Sequence, residues 1–186
     1  ATIDGWAMRM VGMFPLRSAA EPSILKLFNP KIDYPAIKQA ALELLQGLHI
    51  NNLLLANYSR LFVDEYQDCN LTQHRIVCEL ARVLPTCIFG DFLQGIFDFE
   101  GKQVDWSTEV LKDFPLKSEL STPWRWKLAG AGSLGQWLLD LRPTLLNGGQ
   151  IDLNKAPPEL EWVQIKNDQD FKKILEATHS MPSGIE

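Results

Sequence analysis

The sequence predicts an α/β protein, with a parallel sheet flanked by helices and followed by the start of a second α/β unit. The sheet follows from two apolar runs, "LFVDE" at 61–65 and "CIFGD" at 87–91, each ending in acid. They enclose one amphipathic helical stretch, the pattern of a parallel, right-handed βαβ crossover. The second unit follows from the strand-like "LEWVQI" and helix-like "DQDFKKILEATH", which come after a proline- and glycine-marked stretch at 143–158.

Taken in order, "TIDGWAMRMVGMF" places Trp6, Met10 and Met13 at helical spacing, and "PLRSAAEP" ends that segment. "YPAIKQAALELLQGL" carries Ile37, Ala41, Leu44, Leu45 and Leu48 on one helical face, with a polar turn expected at Asn51-Asn52. Leu61, Phe62 and Val63 suit a strand covered on both faces. "LTQHRIVCELARVL" reads as a helix capped by Thr72, with Ile76, Leu80 and Val83 on one face and Pro85 as its stop. After the second strand, "VDWSTEVLKDF" reads as a helix, "LKSEL" as a third strand and "WKLAGAGSLGQWLLDLR" as one long helix weakened by its glycines.

The 186 residues, formal charge of −5 and 46 % hydrophobic content describe a globular chain long enough to bury a sizeable core. No stretch approaches the ~18 uninterrupted apolar residues of a membrane span, and no basic, then apolar leader opens the chain, so a cytoplasmic protein is expected. Cys69, Cys78 and Cys87 lack close C-x-x-C pairing and read as reduced packing residues. His49, His74 and His179 lie far apart and form no ligand pattern, so metal held by histidine is not expected. The acidic balance disfavours non-specific phosphate binding by net charge, while leaving room for a local DNA groove lined with aromatic residues.

Adjacent carboxylates at the end of a buried strand are costly unless a cation or a proton transfer uses them. Here Asp64 and Glu65 end one strand and Asp91 the next, at the carboxyl edge where α/β folds keep their ligands, and Gln94 follows three residues later. In a nucleotide hydrolase one carboxylate holds magnesium through its water shell, a neighbour orients or deprotonates attacking water, and an amide senses the terminal phosphate.

"VDEYQDCN" followed by "GDFLQGIFDFEG" resembles motifs II and III of UvrD/Rep-type superfamily-1 DNA helicases, VDE-[FY]-Q-D and GD-x-x-QSIY-x-[FW]-RGA. "LSTPWRW" sits where that family has motif IV, L-x-x-NYRS, and "TIDGWAMRM" resembles motif Ib. The resemblance implies a partial RecA-like (P-loop NTPase) fold. Residues 1–142 would be the latter part of the first RecA-like domain, 143–158 a linker-like region and 159–186 the start of the second domain. The phosphate-cradling G-x-x-x-x-G-K-[ST] loop and motifs V and VI are not in this sequence, so an internal piece of a longer helicase is expected.

Carried over by position, the resemblance implies ATP and Mg2+ as cofactors and single-stranded DNA as partner. Asp64 would serve the metal, Glu65 would activate water and Gln67 would join the nucleotide site to DNA. Gln94 would contact the γ-phosphate or its water, Trp124 would stack on adenine and Arg125 would stabilise the transferred phosphoryl. Phe97 and Phe99 would stack on bases of the strand. Glu100 stands where the family has arginine, Asp4 where motif Ib has histidine, and Gly95 and Asp98 where motif III has serine and glycine. The inverted charge at Glu100 keeps open a helicase-like module without motor activity, in a repair, recombination or defence complex. A magnesium-dependent phosphatase or nuclease using Asp64, Glu65 and Asp91 is a third reading.

Overall fold

The structure is a computed structural model that describes residues 1–95 and 103–162. It divides into two compact units, Ala1–Lys117 and Ser118–Glu186.

In the first unit, α1 (Ile3–Met13) starts at Thr2, whose hydroxyl oxygen accepts from Gly5 N, and it buries Ala7, Met10 and Val11. The helix α2 (Pro30–Gln46) opens on a proline at its first position, where the missing N–H has no helical partner to lose. It buries Ile37, Ala40, Ala41, Leu42, Leu44 and Leu45. Leu48, expected on the same face, lies past the helix end and is exposed. Asn51-Asn52 does not form the expected turn but opens a further helix, α3 (Asn51–Asn57), which buries Leu54.

The strands β1 (Leu61–Val63) and β2 (Thr86–Ile88) pair in parallel, with Leu61 opposite Thr86, Phe62 opposite Cys87 and Val63 opposite Ile88. Between them runs α4 (Leu71–Ala81), so the expected βαβ unit is present. Its cap is Asn70 rather than Thr72. Asn70 Oδ1 accepts from Gln73 N at 3.0 Å, and Gln73 Oε1 accepts from Asn70 N at 2.9 Å, a reciprocal capping box. The helix ends at Ala81, four residues before Pro85.

The main core joins Met10, Val11, Ile37, Leu44, Leu45, Leu54, Ile76 and Leu80, so α1, α2, α3 and α4 pack as one layer beside the strands. Asp4 ties that layer together: it accepts from Gln73 Nε2 at 2.8 Å and lies 3.7 Å from Nζ of the buried Lys38. A second cluster gathers Val63, Tyr66, Cys69, Val77, Val104 and Val110, and Leu61 of β1 packs against both clusters. The strands are not covered on both faces by the described residues. Phe62 is 63 % exposed and stacks on Phe89 with ring centroids 6.2 Å apart.

A π-helical turn, Trp106–Val110, runs into α5 (Leu111–Asp113), which together form the helix expected there. "LKSEL" is not a strand: 115–123 has no regular structure, and Leu116 and Leu120 are exposed, without the burial that would hold them in a sheet.

In the second unit the expected long helix is two helices, α6 (Trp124–Leu128) and α7 (Gly132–Leu146), separated by a turn at 129–131. The second continues through Pro143. The strand read in "LEWVQI" and the helix after it fall largely outside the described residues. No helix among the described residues is long and apolar enough to cross a membrane.

Candidate functional site

Past the paired residues, the ladder continues by two bonds: Phe89 N donates to Val63 O at 2.7 Å and Tyr66 N donates to Phe89 O at 2.9 Å. These bonds hold the Asp64-Glu65 end of β1 against the Gly90-Asp91 end of β2. Glu65 takes a left-handed backbone with φ 52°, so the chain turns sharply there and leads into the 3-10 turn Tyr66–Asp68. Asp64 Oδ1 accepts from Glu65 N at 2.9 Å, and both carboxylate residues are exposed.

Gln67 is the bridge. Its Nε2 donates to Glu65 Oε2 at 2.6 Å, while its Oε1 accepts from Asp91 N at 2.9 Å. The side chain is buried, so both strand ends are fixed by one amide. Gly90 makes the close approach possible: a Cβ there would lie 2.8 Å from the Trp106 ring and 3.0 Å from Gln67 Oε1. Asp91 accepts from Leu93 N at 3.1 Å through Oδ1 and from Gln94 Nε2 at 3.0 Å through Oδ2. Hydrogen bonds therefore link Asp64, Glu65, Gln67, Asp91 and Gln94 into one network at the strand ends, with Gln67 buried beneath the acids. The network's carboxylate and amide oxygens are hard donors, suited to magnesium held through water.

Trp124 and Arg125 belong to the second unit, on the first turn of α6. Both are exposed, and Lys127 Nζ lies 5.6 Å from the centre of the Trp124 ring. Phe97 and Phe99, with Glu100, lie outside the described residues.

The family model of the UvrD/REP helicase N-terminal domain matches residues 21–115, more than half of the chain. The chain belongs to that family. It is also 30 % identical over 86 residues to one subunit of an ATP-dependent helicase/nuclease from Syntrophomonas wolfei subsp. wolfei. That alignment covers 46 % of this chain and 7 % of the relative, so the chain spans a small part of that protein's length. No solved structure gives a significant match. The stretch matched by the UvrD/REP helicase model contains α2 to α5, both strands and the whole Gln67 network, whereas Trp124 and Arg125 fall beyond it.

Within the same stretch the structure gathers a group that sequence reading missed. His74 and Cys78 stand one turn apart on α4, and Asp113 at the end of α5 meets them. His74 Nε2 lies 3.1 Å from Asp113 Oδ2, and Cys78 Sγ lies 3.6 Å from each of those atoms. On the opposite side of the ring, His74 Nδ1 is hydrogen-bonded to the Tyr66 hydroxyl at 2.8 Å. Burial, reinforced by nearby Cys69, Cys78 and Asp113, pushes the Tyr66 hydroxyl far above the ordinary phenol range, so it stays protonated. Burial and then the Asp113 carboxylate push the Cys78 thiol up to about 12. Cys69, also raised to about 12 by burial, is a packing residue as expected; Cys87 is exposed, and all three are free. The i, i+4 spacing of His74 and Cys78 was the one visible signal, since it puts both on one helical face.

Proposed function

We propose that this chain is part of an ATP-dependent DNA helicase or translocase, contributing most of the water-activating edge of its nucleotide site. One observation carries the reading: Gln67 links the Glu65 carboxylate to the Asp91 backbone, across two parallel strand ends that both carry acid. In this reading 1–142 is the latter part of a first RecA-like domain, 143–158 a linker-like region and 159–186 the start of a second. Family membership and the likeness to a helicase/nuclease component support it.

Asp64 would hold magnesium through its water shell, its exposed carboxylate offering the hard oxygen donors that such a cation takes. Glu65 accepts a proton from the attacking water, and its contact with Gln67 aims the carboxylate while leaving Oε1 for that task. Gln94 contacts the terminal phosphate or the water, exchanging its bond to Asp91 for the new one. Gln67 is the positioning residue that passes the state of this edge towards the DNA path. Trp124 offers an exposed ring for adenine, and Arg125 on the next position stabilises charge on the transferred phosphoryl. Phe97 and Phe99 stack on single-stranded bases, each contact being worth about 1–3 kcal/mol.

The test is Glu65→Gln in the intact parent. The amide keeps the shape but accepts no proton, so hydrolysis falls by about 10²–10⁴-fold while nucleotide binding persists. Turnover within about twofold of the unaltered parent, far below the range for acid–base catalysis, would sink the assignment. The 186-residue chain alone is expected to show no robust Mg2+-dependent ATP turnover, because its sequence contains no phosphate-cradling loop.

A further inference from the structure

Tyr66 lies in the chain between Gln67 and Glu65, the residue with the left-handed backbone, and its side chain has no solvent exposure. The ring stands edge-on to Phe114 and Trp106, with centroids 5.9 and 6.5 Å away, and a Cβ on Gly90 would meet the Tyr66 Cβ at 3.1 Å. Where this ring sits therefore sets the turn that carries Glu65. Phenylalanine would fill the same space, and a buried hydroxyl costs free energy unless it is hydrogen-bonded. Here its partner is His74 Nδ1 at 2.8 Å.

The direction of that bond is fixed from the other side of the imidazole. An ionised carboxylate only accepts, so Asp113 Oδ2, 3.1 Å from Nε2, calls for a proton on Nε2. A neutral ring then leaves Nδ1 bare, and the Tyr66 hydroxyl, which stays protonated, donates to it. In the opposite tautomer two acceptors would face each other at 3.1 Å, and the Tyr66 proton would be turned away from His74. The Cys78 thiol lies beside the ring, 3.6 Å from Nε2 and 4.0 Å from Nδ1, and points to the same Asp113 oxygen, so it competes for neither nitrogen.

We propose that His74 and Asp113 are positioning residues for Glu65, acting through Tyr66: the ordered run from hydroxyl to imidazole to carboxylate locks the ring, and with it the turn that aims the Glu65 carboxylate. The inference rests on the reading of Glu65 as the group that activates water. A fully satisfied buried polar run holds one arrangement, whereas apolar side chains of the same volume would tolerate several.

The first test uses the 186-residue chain carrying His49→Gln and His179→Gln, which leaves His74 as its one imidazole. Long-range 1H–15N correlation spectra at neutral pH are expected to show the ring proton on Nε2. Asp113→Ala should unpin the tautomer and move the backbone amide signals of Glu65 and Gln67, with circular dichroism unaltered. The second test takes Asp113→Ala into the intact parent. There kcat should fall roughly tenfold or more with KM for ATP unchanged, since misplacing a reacting group by about 1 Å costs up to about 10²-fold. Tyr66→Phe should lower kcat to the same degree. Added to Glu65→Gln, Asp113→Ala should cost nothing further, because both act through one carboxylate. The proposal would be overturned, with the reading of Glu65 left standing, by a His74 protonated on Nδ1 or on both nitrogens, by unmoved Glu65 and Gln67 amides, by an unchanged kcat, or by an Asp113→Ala effect that multiplies with that of Glu65→Gln. A Glu65→Gln parent that keeps its turnover would instead remove that reading, and this inference with it.

Discussion

The two compact units differ most in what they bury. Ala1–Lys117 hides Met10, Ile37, Leu54, Tyr66 and Ile76 almost completely, whereas among the described residues of Ser118–Glu186 only Gly135 is buried. The family match, 21–115, lies wholly inside the first unit. A buried core fixes a strand edge to the accuracy that the Gln67 bridge requires. Trp124 and Arg125 instead stand exposed on a five-residue helix, where nothing of comparable weight holds their side chains.

That contrast is broken or sharpened first by paired truncations. Leu54→Ala removes a side chain with no solvent exposure and should cost about 2–5 kcal/mol, whereas Leu145→Ala on half-exposed α7 should cost well under that. Urea melts of both variants decide it, and equal losses would mean the second unit is packed as firmly as the first. A smaller effect is expected from Gly135→Ala. Its new Cβ would lie 2.6 Å from Trp126 Cβ and 2.9 Å from Pro123 Cβ, and overpacking of that kind costs about 1–3 kcal/mol. Thermal melts followed by tryptophan fluorescence would detect it, and an unchanged melt would show that α6 and α7 part freely. The smallest is the cap of α4: Asn70→Ala should cost about 1 kcal/mol and Thr72→Ala within about 0.5 kcal/mol. Chemical denaturation of the two variants side by side checks the assignment, and the reverse order would return the cap to Thr72.

The same contrast explains what could be read from the sequence. The βαβ unit was legible because apolar runs, a helical period and terminal acids all agree at 61–91, and agreement across levels leaves few alternatives. "LKSEL" failed as a strand because its two leucines are a local pattern, and strand formation depends on a partner that local pattern does not report. Asn51-Asn52 failed as a turn because polar side chains suit the exposed start of a short helix equally well. The Gln67 bridge could be expected only through resemblance. The meeting of Cys78 with Asp113 was invisible, since the two are joined by tertiary packing across 35 positions of sequence.

The left-handed backbone at Glu65 has a consequence for anyone selecting hardier variants of this chain. A side chain in that region carries steric strain of about 1–2 kcal/mol that glycine does not, only partly offset by glycine's greater freedom when unfolded. A screen for heat resistance alone would thus reward Glu65→Gly while discarding the carboxylate that Gln67 holds in place. At this one position, endurance and chemistry are selected in opposite directions.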